Sequence, residues 1–346
     1  MAGKRFGILP NNADFRAPAN LPAGKGGKMP KRLVRQCHQG ILNHLYQRAR
    51  NGFLIFYSIS DYLVFFTVFC TEAQKHNVRV LTLCQMPDHI HSSLYAGSRK
   101  ELSAFVSAYS CRFVRMYRQY AHFEGPLFDT PYGSVPKTGA KKARANILYV
   151  GNNPPERQLC TRAEEYRWNY IAYGKSTHPF SKELVLRRSS WPLQRAVREV
   201  KAQHAAGKPL PYAMLQRLFK PLDREEREQL TDFIITQYSV IDHASAARFF
   251  DGYEQMLTAL HADTGSEHDL NEVFVGKTDA CYARMVNALL RKTGWKDIHD
   301  LFLLTPEERL AWLPFLLQET GCEPAQAAKF LRLVLKRDEG SSNGRN

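Results

Sequence analysis

The sequence predicts an α+β chain: a ferredoxin-like antiparallel sandwich in the first half, then an all-α region. Three observations predict it. Between residues 41 and 136 the segments alternate as strand, helix, strand, strand, helix, strand. Two of those strands are joined by so tight a turn that they must be antiparallel neighbours. Beyond about residue 181 the strand signals vanish and helical periodicity takes over.

Residues 1–32 are rich in Gly, Pro, Ala and Lys without an apolar period, which predicts a disordered basic arm. Residues 41–48 alternate as a strand does. Asn51-Gly52 is a strong turn signal, with a short strand expected over 53–57. Ser60-Asp61 can cap a helix over 62–76, and the apolar run 78–84 is the next strand. Pro87-Asp88 reads as a tight turn into a strand from His89 to Tyr95. Ser98 begins a long helix to about 122, with Leu102, Phe105, Val106, Tyr109, Phe113 and Met116 at helical spacing as a core face. Arg112, Arg115 and Arg118 lie along one side of it, either a solvated face or a stripe for a phosphate backbone. Residues 125–136 suit a loop with a short strand near Ser134. A dense basic run, Lys137 to Arg144, then precedes a helix over 143–153 that Pro154-Pro155 should stop.

In the second half, helices are expected over 191–204, 211–220, 223–238, 244–261, 279–291, 306–319 and 324–336, with a polar break at 264–269. Asp223 and Glu226 suit a capping box, and Pro314 should kink its helix. The last pair, around Thr320-Gly321-Cys322, is either a helical hairpin or a helix-turn-helix. If it reads DNA, Gln326, Lys329 and Arg332 are the exposed candidates. The expected units are therefore the arm 1–32, a sheet domain 33–180, a helical region 181–263 and a helical C-terminal region 264–346.

Apolar residues make up 44% of the 346, enough for a sizeable core. The longest conspicuous apolar run, 63–70, is too short for a bilayer, and 1–32 lacks a signal-peptide pattern. A cytoplasmic, nucleoid-associated location is expected, with no membrane partner. Seven scattered cysteines without CxxC spacing argue against a thiolate zinc site or a disulfide framework. The charge is more telling. Forty-eight Lys and Arg against 33 acids give +15, a balance that favours a polyanionic partner, usually nucleic acid.

The chemistry-bearing stretch is Met86-Pro87-Asp88-His89-Ile90-His91. In an extended strand side chains alternate, so His89 and His91 share a face about 7 Å apart along the strand, and Ile90 takes the other. Two such imidazoles can grip one divalent cation, or one can cap the turn while the other is solvated. Tyr149 and Asn153, four apart on the expected helix, share a face; they are either a packed phenol and a C-cap or parts of a site.

Together these segments resemble the single-tyrosine HUH transposases, particularly the REP-associated tyrosine transposase branch. The matching residues are Met86-Pro87-Asp88-His89-Ile90-His91, Tyr149-Val150-Gly151-Asn152-Asn153-Pro154 and Ala163-Glu164-Glu165-Tyr166-Arg167-Trp168, within 33–174. The resemblance implies a metal site made by His89, His91 and Asn153, holding Mg²⁺ or Mn²⁺, with Tyr149 as nucleophile. Imidazole ligands suit Mn²⁺ somewhat better. It implies cleavage and rejoining of single-stranded DNA, often beside a hairpin, through a covalent 5′-phosphotyrosine. Asp88 is then a residue that supports a ligand or shapes the turn rather than a ligand itself. Lys137, Lys141, Lys142 and Arg144 are the expected DNA-contacting cations, and Lys141, Lys142 and Arg144 are candidates for favouring the phenolate. Phe128, Tyr132, Tyr166 and Trp168 either stack bases or belong to the core. The chain is much longer than compact members of the wider class, which leaves self-mobilisation or domestication, and monomer or homodimer, open. Two other readings stand beside this one: a catalytically silent, sequence-specific nucleic-acid-binding regulator on the same fold, and a metal hydrolase using water as nucleophile.

Overall fold

The computed structural model describes residues 36–129, 132–262 and 278–334. The basic arm 1–32, the polar break 264–269 and positions 335–346 lie outside the described residues. The chain is α+β, built on one four-stranded antiparallel sheet. Its strands are β1 (Leu42–Arg48), β2 (Arg79–Met86), β3 (His89–Tyr95) and β4 (Gly133–Lys137), in the order β2-β3-β1-β4. Helices α1 (Ile59–Lys75) and α2 (Arg99–Ala121) connect them, and α3 (Ala140–Glu156) follows β4.

Strand alternation divides the sheet into two faces. Leu45, Ile90 and Leu94 join Leu63, Phe65, Phe69, Phe105 and Phe113 of α1 and α2 in the main core. Phe65 and Phe69 are wholly buried, and each contributes on the order of 2 kcal/mol of burial. The opposite face carries His44 and Tyr46 across from Ser93 and His91 of β3. Leu42, Cys84 and Met86 on that face pack with Ile147, Tyr149 and Val150 of α3.

The second half is helical: α4 (Trp191–Ala205), α5 (Tyr212–Phe219), α6 (Arg224–Tyr238), α7 (His243–Ala247), α8 (Tyr253–Ala262), α9 (Cys281–Thr293), α10 (Pro306–Ala311), α11 (Leu313–Thr320) and α12 (Pro324–Phe330). Helices α4 to α6 extend the main core; Leu193, Val197, Leu215 and Ile234 belong to it. Helices α7 and α8 cover α3 through Ala246, Met256 and Leu260. Helices α9 to α12 form a third core with Leu54 and Tyr57.

Several expectations are corrected. Residues 53–57 form no strand. Ile55 and Phe56 instead donate their amides to the Pro87 carbonyl at 2.8 and 3.1 Å, so no ladder partner is used. Helix α1 starts earlier than expected, because Ser58 and Asp61 complete a capping box. The expected helix over 244–261 divides at Asp251, which takes a left-handed φ of 60°. Pro154 and Pro155 do not stop α3. A proline at 155 deprives the Gly151 carbonyl of its helical donor, and the Asn169 side-chain amide supplies one at 2.8 Å.

The largest correction concerns the last helices. Gln326, Lys329 and Arg332 do not face solvent. Gln326 is 2% exposed and donates to the Thr278 carbonyl at 2.7 Å. Arg332 is 3% exposed, donates to the Leu54 carbonyl at 2.9 Å, and lies 4.4 Å from the Phe123 ring centroid and 5.0 Å from that of Phe53. Lys329 is ion-paired with Asp88. A face that carries the third core cannot also enter a groove. Arg332→Ala is accordingly expected to cost about 2–4 kcal/mol in denaturant melts, from lost cation–π contacts and an orphaned carbonyl. A variant of unchanged stability with weakened DNA binding would restore the reader instead.

Candidate active site

Two elements separated in sequence meet on the α3 face of the sheet. The alternation of β3 sends His89 and His91 there and Ile90 into the main core, as the sequence pattern anticipates. The two imidazole centroids lie 4.8 Å apart. From α3, Asn146, Tyr149 and Asn153 fall on one helix face at spacings of three and four. Asn146 accepts from the Ser93 hydroxyl at 2.8 Å, fastening α3 to β3. The Tyr149 ring stands edge-on to His91 at 5.3 Å between centroids. Asn153 Oδ1 lies 3.5 Å from His89 Nε2.

The orientations of His89 and Asn153 each have a local cause. Asp88 Oδ1 sits 2.6 Å from His89 Nδ1. Burial opposes ionisation of Asp88, but Lys329 and His89 outweigh it and hold the carboxyl well below its usual range. An ionised carboxylate only accepts, so His89 Nδ1 carries a hydrogen, and the ring so held turns Nε2 toward Asn153 Oδ1. The Asn153 amide nitrogen donates to the Tyr149 carbonyl at 2.9 Å, which turns its oxygen toward His89. Donors sharing one cation at about 2.1 Å sit roughly 3 Å apart, so the His89–Asn153 gap is near that of a shared ion. Among the described residues no three His, Cys, Asp or Glu side chains are grouped to hold a metal. Any cation here would therefore need the Asn153 amide oxygen beside the two imidazoles.

His44 was not anticipated. It comes from β1, bonds His91 Nδ1 through Nε2 at 3.0 Å, and lies 5.6 Å from the Tyr149 ring centroid. Its alternation with Leu42 and Tyr46 was visible in the sequence, but the β1–β3 register that places it was not. Asp279 was also missed. It is 2% exposed, and neither carboxylate oxygen has a hydrogen-bond partner. Burial, with Asp88 adding, pushes its carboxyl up to about 6 against Lys329, Arg157 and His89. A native pKa above the unfolded value of about 3.9 means that stability falls as pH rises from about 4 to 6 and then levels off. Asp279→Asn is expected to match wild type near pH 4 and exceed it by on the order of 3 kcal/mol at pH 7. Equal denaturation midpoints at both pH values would contradict this.

The expected DNA-contacting cations separate into two sets. Lys141, Lys142 and Arg144 are exposed on the first turns of α3, Arg144 lying over the Phe250 ring. Lys137 is 3% exposed; at the end of β4 it lies opposite Leu42, on the sheet face that carries His44 and Tyr46. Phe128 and Tyr132 are core residues. Trp168 stacks on Tyr62 at 4.4 Å, and the Tyr166 hydroxyl donates to the Gln85 carbonyl at 2.9 Å. Arg112 pairs with Glu72 at 2.5 Å, so that residue is used within the fold.

No protein-family model and no curated protein matches the chain. Among solved structures, one described as "Structure of the REP associates tyrosine transposase bound to a REP hairpin" is similar at a TM-score of 0.35 and 12% identity, over 40% of this chain and 84% of that one. No described helix is long and apolar enough to cross a membrane.

Proposed function

We propose that residues 33–180 form a ferredoxin-like HUH domain that cleaves and rejoins single-stranded DNA through Tyr149, in the manner of the REP-associated branch its motifs resemble. The strand order β2-β3-β1-β4 with helices after β1 and β3 supports that fold. The observation that carries the activity is the meeting of Tyr149 with His91, 5.3 Å between ring centroids, across 58 residues of chain. A packed tyrosine needs no imidazole neighbours, and a histidine pair needs no phenol.

His89 Nε2, a nitrogen of His91 and Asn153 Oδ1 would hold Mg²⁺ or Mn²⁺. His91 Nδ1 is engaged by His44, and Nε2 would be its ligand atom. A bound cation would neutralise charge on the scissile phosphate. The Tyr149 oxygen forms a bond to phosphorus as the bond to the 3′-oxygen breaks, and the phenol proton ends on that departing oxygen. The products are a 5′-phosphotyrosine and a free 3′-hydroxyl; a second 3′-hydroxyl reverses the step and joins strands. Lys141, Lys142 and Arg144, exposed at the start of the same helix, suit the flanking phosphates. The substrate class is single-stranded DNA, with a hairpin nearby.

The test is to incubate the protein with hairpin-bearing single-stranded oligonucleotides and Mn²⁺ and resolve the products on a denaturing gel. A covalent adduct is expected that disappears with chelator and in His89→Ala. Binding without an adduct in any metal would overturn the proposal. That outcome belongs to the second reading, a silent regulator. What favours it is the closure of the site, with His91 0% and Tyr149 5% exposed.

A further inference from the structure

The C-terminal helices reach both halves of the candidate site. At one end, Lys329 of α12 contacts Asp88 Oδ2 with Nζ at 2.5 Å, while Asp88 Oδ1 holds His89 Nδ1 at 2.6 Å. The same helix is seated on the segment that clamps this turn. The Tyr57 hydroxyl donates to the Phe330 carbonyl at 2.8 Å, and the amides of Ile55 and Phe56 grip the Pro87 carbonyl. At the other end, the Asp279 amide donates to the Arg157 carbonyl at 3.1 Å, and the Thr278 hydroxyl donates to that of Gln158 at 3.0 Å. Those two residues directly follow α3, which bears Tyr149 and Asn153.

From this geometry we infer that Lys329 is a positioning residue for the metal site: it fixes the Asp88 carboxylate, and through it the ring orientation of His89. The inference rests on the metal-site reading given under the proposed function. Its physical basis is the division of one carboxylate between two donors. With Oδ2 anchored by Lys329, Oδ1 cannot turn away from His89 Nδ1. The Nδ1–H then stays on Asp88, and Nε2 stays turned toward Asn153 Oδ1, where a shared cation would lie. Lys329 is itself held, its Nζ lying 5.6 Å from the Tyr282 ring centroid of α9. Outer partners of this kind typically change metal affinity 10- to 100-fold when removed. The consequence is that the C-terminal helical unit, absent from the motifs that mark the site, completes it.

The experiment titrates the full-length, metal-free protein with Mn²⁺ alone by calorimetry. Lys329→Met is expected to weaken Mn²⁺ binding about 10-fold or more. Leu289→Ala, which loosens the same third core without touching Asp88, should lower the melting temperature yet leave affinity within about twofold. If Lys329→Met does not fold, Lys329→Met/Asp88→Ala, which removes both members of the ion pair together, replaces it with the same expected weakening. Wild-type affinity in either variant overturns the role of Lys329 while sparing the metal site. A wild type that binds no Mn²⁺, or a His89→Ala protein that binds it equally, sinks the metal site instead. A second readout needs no metal. Long-range ¹⁵N–¹H spectra of histidine-labelled protein should show His89 with hydrogen on Nδ1. A wild type whose His89 Nδ1 carries no hydrogen overturns the inference whatever the variants do.

Discussion

Tyr149→Phe is expected to fold, to bind single-stranded oligonucleotide as the wild type does, and to form no covalent adduct. The substitution removes one oxygen and keeps the ring that stands edge-on to His44 and His91. The packing against Ile147 and Val150 is retained, and a cost on the order of 1 kcal/mol leaves the fold intact. The adduct requires that oxygen as the atom bonded to phosphorus, so its yield should fall by at least about 1000-fold, to the limit of a denaturing gel. The variant also separates the proposed chemistry from hydrolysis by water. A hydrolase built on His89 and His91 would still release cleaved DNA when Tyr149 is Phe, and would never have carried an adduct. Undiminished cleavage by Tyr149→Phe would therefore move the nucleophile off α3 altogether. The His89→Ala protein should lose the same adduct for a different reason, and there Mn²⁺ binding should be lost with it.

The parts of this arrangement that follow from local rules were readable before any coordinates. Side-chain alternation put His89 and His91 on one face, and helical spacing put Tyr149 and Asn153 on another. What the chain alone could not disclose depends on partners distant in sequence. His44 enters only through the β1–β3 register, which strand composition does not specify to one residue. Helix α3 runs through two prolines because Asn169 replaces the missing donor. The polar residues of α12 and just beyond it, Gln326, Lys329 and Arg332, read as solvent-facing in isolation. They turn inward because each finds a buried partner in another segment: a carbonyl for Gln326 and Arg332, a carboxylate for Lys329. Residues 53–57 alternate poorly and are buried on all sides, so their apolar character says core without saying strand. The helical halves were expected as separate regions, yet α4 to α6 share one core with α1 and α2. Apolar periodicity identifies a face to be covered and leaves the covering element unnamed.

The third core is joined to the sheet domain by a buried charge network, and its pH dependence offers a sharp test. His299 is 4% exposed and lies between Asp61 Oδ1 at 3.0 Å and Asp297 Oδ1 at 2.6 Å. Asp61 is fully buried at the start of α1, where it also accepts from the Tyr57 and Ser58 amides and the Tyr212 hydroxyl, each at 2.8 Å. Burial alone would lower the His299 pKa, but the charge of Asp61 and the bond from Asp297 push it up to about 10. For the acid Asp297 burial works the other way, and His299 overcomes it to hold that carboxyl down to about 2. The native state thus keeps a proton on His299 that the unfolded chain releases near pH 6.5. Its stabilisation is complete below pH 6.5 and disappears as pH rises through about 10. The Asp297 contribution is complete above about pH 4 and is lost as pH falls through about 2, so the network is strongest between roughly pH 4 and 6.5. His299→Gln is expected to cost on the order of 4 kcal/mol at pH 6, with the gap to wild type shrinking steadily toward pH 10. Urea midpoints for the two proteins at pH 6, 8 and 9.5 give the comparison. A gap that stays constant across that range would mean that His299 is neutral in the fold, and that shape rather than charge joins α1 to the C-terminal helices.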